Sequence, residues 1–207
     1  MNVLWVLSRA TGLVSLVLLT LMVVLGVAVT RRSRPRRGGR LGARQLVLVG
    51  LHRNTALLAL LVLATHIGTV VADSYVDIRW YDSVVPFVGT YKSFWLGLGT
   101  LSLDIALLLV VTSLVRHRLP LRFWRGIHVL AYLAWPVALV HAVGIGTDMR
   151  SAPGLLLAGV CALGGTGAVL WRMSAGSALP VADRAPDTLT ALRAERARHR
   201  QLVAPGR

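Results

Sequence analysis

The segment "GLHRNTALLALLVLATHIGTV", residues 50–70, decides how this chain folds. Its leucines, alanines and valines form an apolar run of about the 20 residues that a helix needs to cross the hydrocarbon core of a bilayer. Two histidines, His52 and His66, lie within this run. Polar side chains at membrane depth are costly to bury and need partners. The segment therefore predicts both a transmembrane helix and a functional site.

Four further segments have a similar length and apolar character. The sequence thus predicts an all-α, polytopic transmembrane helical bundle with spans at about residues 3–29, 45–71, 93–115, 123–146 and 153–172. We interpret residues 1–173 as one membrane domain and residues 174–207 as a basic cytoplasmic tail. A 55% hydrophobic composition over 207 residues excludes an ordinary soluble domain.

The charge distribution predicts the orientation of the spans. The chain has 23 Lys+Arg against 8 Asp+Glu, a net charge of +15, which in a soluble protein suggests nucleic-acid binding. Here the basic residues cluster between spans, with seven arginines in residues 31–44 and more in residues 116–125. The two other loops carry acids, namely Asp73, Asp77, Asp82 and Asp148. The positive-inside rule then predicts a plasma-membrane protein with its N-terminus outside and its C-terminus cytoplasmic, and no nucleic-acid partner.

The second and fourth spans each carry two histidines. His52 and His66 are 14 residues apart, and His128 and His141 are 13 apart. Because the two spans run in the same direction, His52 meets His128 near the cytoplasmic side and His66 meets His141 near the outer side. Two neutral imidazoles fill both axial positions of one haem iron. The sequence therefore predicts two haems whose iron is held by these four histidines.

Other readings of the histidines remain open. Zinc or copper fits less well, because each depth offers two ligands and no nearby cysteine or paired carboxylate. A haem-free structural subunit, whose histidines merely form hydrogen bonds between helices, is a further alternative.

The spacing in the fourth span sets a geometric condition. On an ideal helix, 14 residues leave two side chains about 40° apart, whereas 13 residues leave them about 140° apart. Pro136 lies between His128 and His141. Because proline removes a backbone donor and kinks a helix, we predict a distorted span around Pro136.

Four short motifs carry a family resemblance: "HR" at 52–53, "ATH" ending at 66, "WRGIH" ending at 128 and "ALVH" ending at 141. Over about residues 5–150 the chain resembles the ferric reductase-like transmembrane domain family, especially its stand-alone actinobacterial members. Related proteins are the membrane domains of ferric reductases and NADPH oxidases, and the haem subunit of the periplasmic methionine sulfoxide reductase system. The resemblance implies heme b and electron transfer across the membrane.

Many members of that family append flavin and nicotinamide domains. This chain has no G-x-G-x-x-G after a strand pattern, and too few residues follow the last span for such a domain. We therefore expect an oxidoreductase electron-transfer subunit that takes electrons from a separate cytoplasmic flavin reductase or from membrane quinol. Its acceptor would be an extracytoplasmic redox partner. A quinol-oxidising, cytochrome b-like subunit is the alternative function.

Charged residues in the spans give further candidates. Haem propionates are anionic, so Arg9 and Lys92 are candidate contacts on the outer side, and Arg53 and Arg125 on the inner side. Asp104 is an acid deep in the third span. It predicts either a hydrogen bond to a neighbouring helix or a proton relay.

Overall fold

The computed structural model describes residues 3–31, 43–73 and 76–177, which form helices joined by short 3₁₀ turns and contain no strand. The helices are α1 (Val3–Arg31), α2 (Ala43–Ala72), α3 (Ser93–Leu114), α4 (Leu121–His128), α5 (Ala131–Ile145) and α6 (Ala152–Ser177). The 3₁₀ turns are Trp80–Ser83, Arg116–Arg118 and Asp148–Arg150. The prediction of an all-α fold is confirmed.

Five membrane-length segments occur in the described part of the chain. They are α1, α2, α3, α6, and α4 with α5 as one interrupted span. Large apolar side chains point outward from them, as Leu61 and Leu163 do with 66% and 78% of their surface exposed. Since lipid is as apolar as leucine, these side chains are matched to a bilayer rather than to water. The predicted number of spans is confirmed, and most of the arginine-rich segment and of the tail lies outside the described residues.

The fourth span is broken, but not where it was expected to be. Pro136 lies inside α5, and the interruption falls at Val129 and Leu130, before the proline. There the amides of Leu130, Tyr132 and Leu133 each donate to the carbonyl three residues earlier, at 2.9–3.0 Å. Such 3₁₀ bonding turns about 120° per residue instead of 100°. Three such residues rotate His141 around the helix axis by about 60° more. The angle between the side-chain directions of His128 and His141 thereby falls from about 140° to about 80°.

The helices pack as two pairs. α1 packs along α2, and α3 packs along α5, while a smaller contact between α1 and α5 joins the pairs. α2 carries His52 and His66, α5 carries His141, and these two helices have no extensive direct contact. The two histidine-bearing helices are therefore held by their partners and face each other across a space.

A buried contact near the middle of the bundle ties α1 to α5 and α6. The indole Nε1 of Trp135 donates to the hydroxyl of Thr20 at 3.0 Å, and both residues are buried. The indole lies directly on Gly165, where any side chain would collide with it. A small apolar core lies nearer one end of the bundle. It is formed by Leu16 of α1, Met149 of the last 3₁₀ turn and Cys161 of α6.

The segment between α2 and α3 folds back onto α3. Asp82 is almost fully buried, with 2% of its surface exposed, and its carboxylate accepts from the backbone amide of Arg79 at 2.9 Å. The hydroxyl of Thr100 on α3 donates to the Asp82 carbonyl at 2.8 Å. These bonds bring Ile78 and Ser83 to the wall of the cavity described below.

Candidate functional site

The structure brings together His52 and His128, the pair predicted to lie on the cytoplasmic side and called the inner pair below, with His66 and His141 as the outer pair. His52 lies on α2 and His128 ends α4, and their ring centroids are 6.5 Å apart at an interplanar angle of 70°. Imidazole nitrogens bind metal ions at about 2 Å, so two rings on opposite sides of one ion have centroids about 6 Å apart. The separation of these two rings fits one metal ion between them.

The outer histidines face a common cavity. His66 of α2 and His141 of α5 both line it, together with apolar residues of α1 and α3. The wall is completed by small side chains, including Gly12, Gly99 and Ala138. The cavity therefore lies between the two helix pairs, at the depth of one histidine from each.

Backbone hydrogen bonds fix the chemistry of the outer rings. Nδ1 of His66 lies 2.7 Å from the carbonyl oxygen of Ser8, and Nδ1 of His141 lies 2.7 Å from that of Trp95. A carbonyl oxygen only accepts, so Nδ1 is the protonated nitrogen in both rings. In the neutral ring, Nε2 then carries a free lone pair. This is how a histidine that binds a metal is usually oriented, with its other nitrogen donating to a fixed acceptor.

The inner rings are held differently. Nδ1 of His52 and Nδ1 of His128 are both buried and make no hydrogen bond of normal geometry in the described structure, although the Met22 backbone lies close enough to interact with His52. His128 instead stacks on the indole of Trp124, with centroids 4.8 Å apart and planes 27° apart. The Arg116 guanidinium lies 5.5 Å from the centre of the same indole. Aromatic stacking, rather than hydrogen bonding, orients the inner ring.

These features fit haem. Each depth supplies two imidazoles, the outer pair presents two unprotonated Nε2 atoms, and the inner pair has the separation of two axial ligands. The cavity between His66 and His141 is largely apolar, as a site that shields a porphyrin from water needs to be. Among the described residues, no three His, Cys, Asp or Glu side chains lie close enough to hold a metal ion together.

Among the described residues, two of the four candidate propionate contacts have protein partners. Arg9 pairs through Nε with Asp148 and lies over the Trp5 ring at 4.2 Å. Lys92 donates from Nζ to the Ile145 carbonyl at 3.4 Å, linking the start of α3 to the end of α5. Arg53 and Arg125 are exposed at the inner end. The role of all four toward propionates stays a prediction.

Asp104 lies near the middle of α3 and is half-buried. The structure gives its carboxylate no hydrogen bond or ion pair among the described residues, although Ser102, two positions earlier, donates to the Ala134 carbonyl of α5 at 3.0 Å. The expected bond from Asp104 to a neighbouring helix is therefore absent from this part of the chain.

Sequence reasoning missed three contributors to the site. Trp124 was indistinguishable from the other tryptophans near span ends, although it lies four residues before His128, which is one helical turn. Gly12 and Gly99 lie against the outer imidazoles, where their missing side chains make room for the rings. A single sequence does not show which helical glycines will lie against a histidine ring, because that depends on how the helices pack.

A family comparison now adds to this geometry. The model of the family described as "Ferric reductase like transmembrane component" matches residues 11–139, more than half of the chain. The chain belongs to the ferric reductase-like transmembrane family. The earlier resemblance is thereby confirmed. No curated protein and no solved structure matches the chain.

Membership of the ferric reductase-like family fixes the general role. The chain is a multi-pass membrane protein of a family of transmembrane electron-transfer components, whose membrane domains generally bind haem. The matched region includes His52, His66 and His128 and ends two residues before His141.

Proposed function

We propose that this protein carries electrons from a cytoplasmic donor to an extracytoplasmic acceptor through two b-type haems. His52 and His128 hold the inner haem, and His66 and His141 hold the outer haem. Each haem, when bound, supplies an iron that accepts and releases one electron.

The single observation that carries the proposal is the pairing of imidazoles at two depths. His52 and His66 are 14 residues apart on one helix, which is about 20 Å along the membrane normal. At one depth the ring centroids of His52 and His128 are 6.5 Å apart, and at the other His66 and His141 line one cavity. Interhelical hydrogen bonding alone does not account for four histidines that leave Nε2 unused or Nδ1 unpartnered.

The protein's own residues bind, orient and exclude water. The Ser8 and Trp95 carbonyls hold His66 and His141 in the tautomer that presents Nε2. Apolar residues such as Leu16, Leu63 and Leu103 line the outer cavity and lower its polarity. Ligand identity, hydrogen bonding to the ligand and burial are the means by which a protein sets a haem potential.

The direction of transfer rests on the charge distribution. Exposed arginines lie at the inner ends of the helices, namely Arg44, Arg53, Arg116, Arg118, Arg122 and Arg125. The acids of the other side are Asp73, Asp77, Asp82 and Asp148. This supports the inner pair as the cytoplasmic one. The donor is then a separate flavin reductase or membrane quinol, and the acceptor is an extracytoplasmic redox partner.

An absorbance spectrum with haem quantitation on the purified full chain tests the proposal. We expect a reduced-minus-oxidised spectrum of b type and close to two haems per chain. His66→Ala should remove the outer haem and spare the inner one, and His52→Ala should do the reverse. If the purified chain contained no haem despite ample haem supply during expression, the proposal would be refuted.

The donor is identified by the rate at which the haems are reduced. Stopped-flow mixing with a flavin reductase plus nicotinamide cofactor should reduce them in the inner-to-outer order if the donor is flavin. Reduction by a menaquinol analogue, with no response to reduced flavin, would instead favour the quinol-oxidising alternative.

A further inference from the structure

Three glycines lie directly against histidine rings of the candidate site. A Cβ atom built on Gly12 would lie 2.9 Å from Cε1 of His66, and one on Gly99 would lie 2.5 Å from Cε1 of His141. On Gly26 it would lie 3.5 Å from Cε1 of His52. Carbon atoms pack best at about 3.5–4.0 Å, so alanine is excluded at the first two positions unless the ring moves.

The outer two glycines stand in the same relation to a hydrogen-bonded carbonyl. Ser8, whose carbonyl binds Nδ1 of His66, precedes Gly12 by four residues. Trp95, whose carbonyl binds Nδ1 of His141, precedes Gly99 by four residues. The same arrangement thus occurs on two different helices, α1 and α3.

Helix geometry explains why the glycine is needed. A helical side chain leans toward the N-terminus and covers the preceding turn, so the side chain at position i+4 lies beside the carbonyl of residue i. Thr20 illustrates this, because its hydroxyl reaches the Leu16 carbonyl four residues earlier at 2.8 Å. With glycine at i+4 the carbonyl is open, and its second lone pair can accept a bond from an imidazole.

We propose that Gly12 and Gly99 are positioning residues for the outer haem ligands. Each forms, with the carbonyl four residues before it, what we term an imidazole seat: Ser8 and Gly12 for His66, and Trp95 and Gly99 for His141. The seat fixes the plane of the ring, its tautomer and the direction of Nε2. The proposal rests on the proposed function in so far as Nε2 of each seated ring binds iron.

The inner ligands lack a complete seat. Gly26 gives His52 room at an ordinary contact distance. The backbone of Met22, four residues before Gly26, interacts with His52, but Nδ1 of His52 makes no hydrogen bond of normal geometry in the described structure. Gly12 and Gly26 are 14 residues apart, as are His52 and His66 on the antiparallel helix α2. One register between α1 and α2 therefore aligns both glycines with both rings. The outer ligands are held by short hydrogen bonds, whereas His52 has a weaker interaction with the Met22 backbone and His128 is held by its stack on Trp124.

The test compares alanine substitutions of matched glycines in the full chain. Gly12→Ala and Gly99→Ala should each reduce the haem content from two per chain to one and remove the low-spin EPR signal of the outer haem. Gly26→Ala should keep both haems. Gly50→Ala and Gly68→Ala are the controls, because each lies two residues from a histidine and has nothing within 4 Å of the added Cβ. Retention of the inner haem shows that a variant is folded.

A second measurement does not depend on haem. In ¹⁵N-histidine-labelled wild-type protein, NMR should show His66 and His141 protonated at Nδ1, with the strongly shifted proton of a carbonyl hydrogen bond. Two unchanged haem signals in both Gly12→Ala and Gly99→Ala would overturn the seats and leave the proposed function intact. A haem-free wild-type protein that retains the Nδ1 signals would refute the function but support the seats, and loss of those signals as well would overturn both.

Discussion

Trp124 should control how firmly the inner haem is held. Its indole stacks on His128 at 4.8 Å, and no hydrogen bond fixes Nδ1 of that ring in the described structure. An aromatic pair of this kind contributes about 0.5–1.5 kcal/mol beyond the burial of its area. Since 1.4 kcal/mol is tenfold in an equilibrium constant, Trp124→Ala should weaken inner-haem binding about two- to tenfold.

The measurement is haem transfer to excess apomyoglobin from the His66→Ala protein, which is expected to carry only the inner haem. Trp124→Ala in that background should release haem faster, and Trp124→Phe, which keeps a ring over His128, should stay close to the parent. Trp80→Ala is the matched control, because Trp80 has 71% of its surface exposed and makes an edge-to-face contact with Tyr81, away from His128. Equal release from Trp124→Ala and Trp80→Ala would refute the role of the stack.

Three further perturbations have defined outcomes. Thr20→Val leaves the buried Nε1 of Trp135 without its acceptor and should lower the free energy of unfolding by about 1–3 kcal/mol, whereas Thr20→Ser should not, as measured by thermal melts in detergent. Asp148→Asn removes the partner of Arg9, and because 51% of the Asp148 side chain is exposed the loss should be at most about 1 kcal/mol and vanish in high salt. Protein made without haem should melt lower and be cleaved faster by protease, and added hemin should raise its Tm in proportion to the logarithm of its concentration; a Tm that ignores hemin would count against haem as part of the core.

The spans and the depth of the histidines could be predicted because bilayer thickness and helix rise constrain them strongly. Any helix that crosses the membrane needs about 20 apolar residues, and a residue's position in its span gives its depth. The approach of His52 to His128 followed from the depth of each residue and the common direction of the two spans. The ligand roles of the histidines stay predictions until haem is measured.

Lateral contacts could not be predicted in the same way. Arg9 pairs with Asp148, 139 positions later in the chain, and that choice depends on which helices become neighbours. The break at Val129 and Leu130 was expected around Pro136, because proline is the feature that a sequence makes visible. Tight 3₁₀ bonding has no comparable residue signature, since it depends on how the helix is held at both ends.

The pairing of the helices has a consequence for biogenesis. α1 with α2 and α3 with α5 are each a hairpin that can enter the bilayer and pack by itself, as helix association in membranes follows insertion of the individual helices. The two hairpins would then meet chiefly through the contact of α1 with α5. Capture of the cofactor is therefore expected to be the last step of maturation, and a cell short of haem would accumulate inserted but loosely joined hairpins for its membrane proteases.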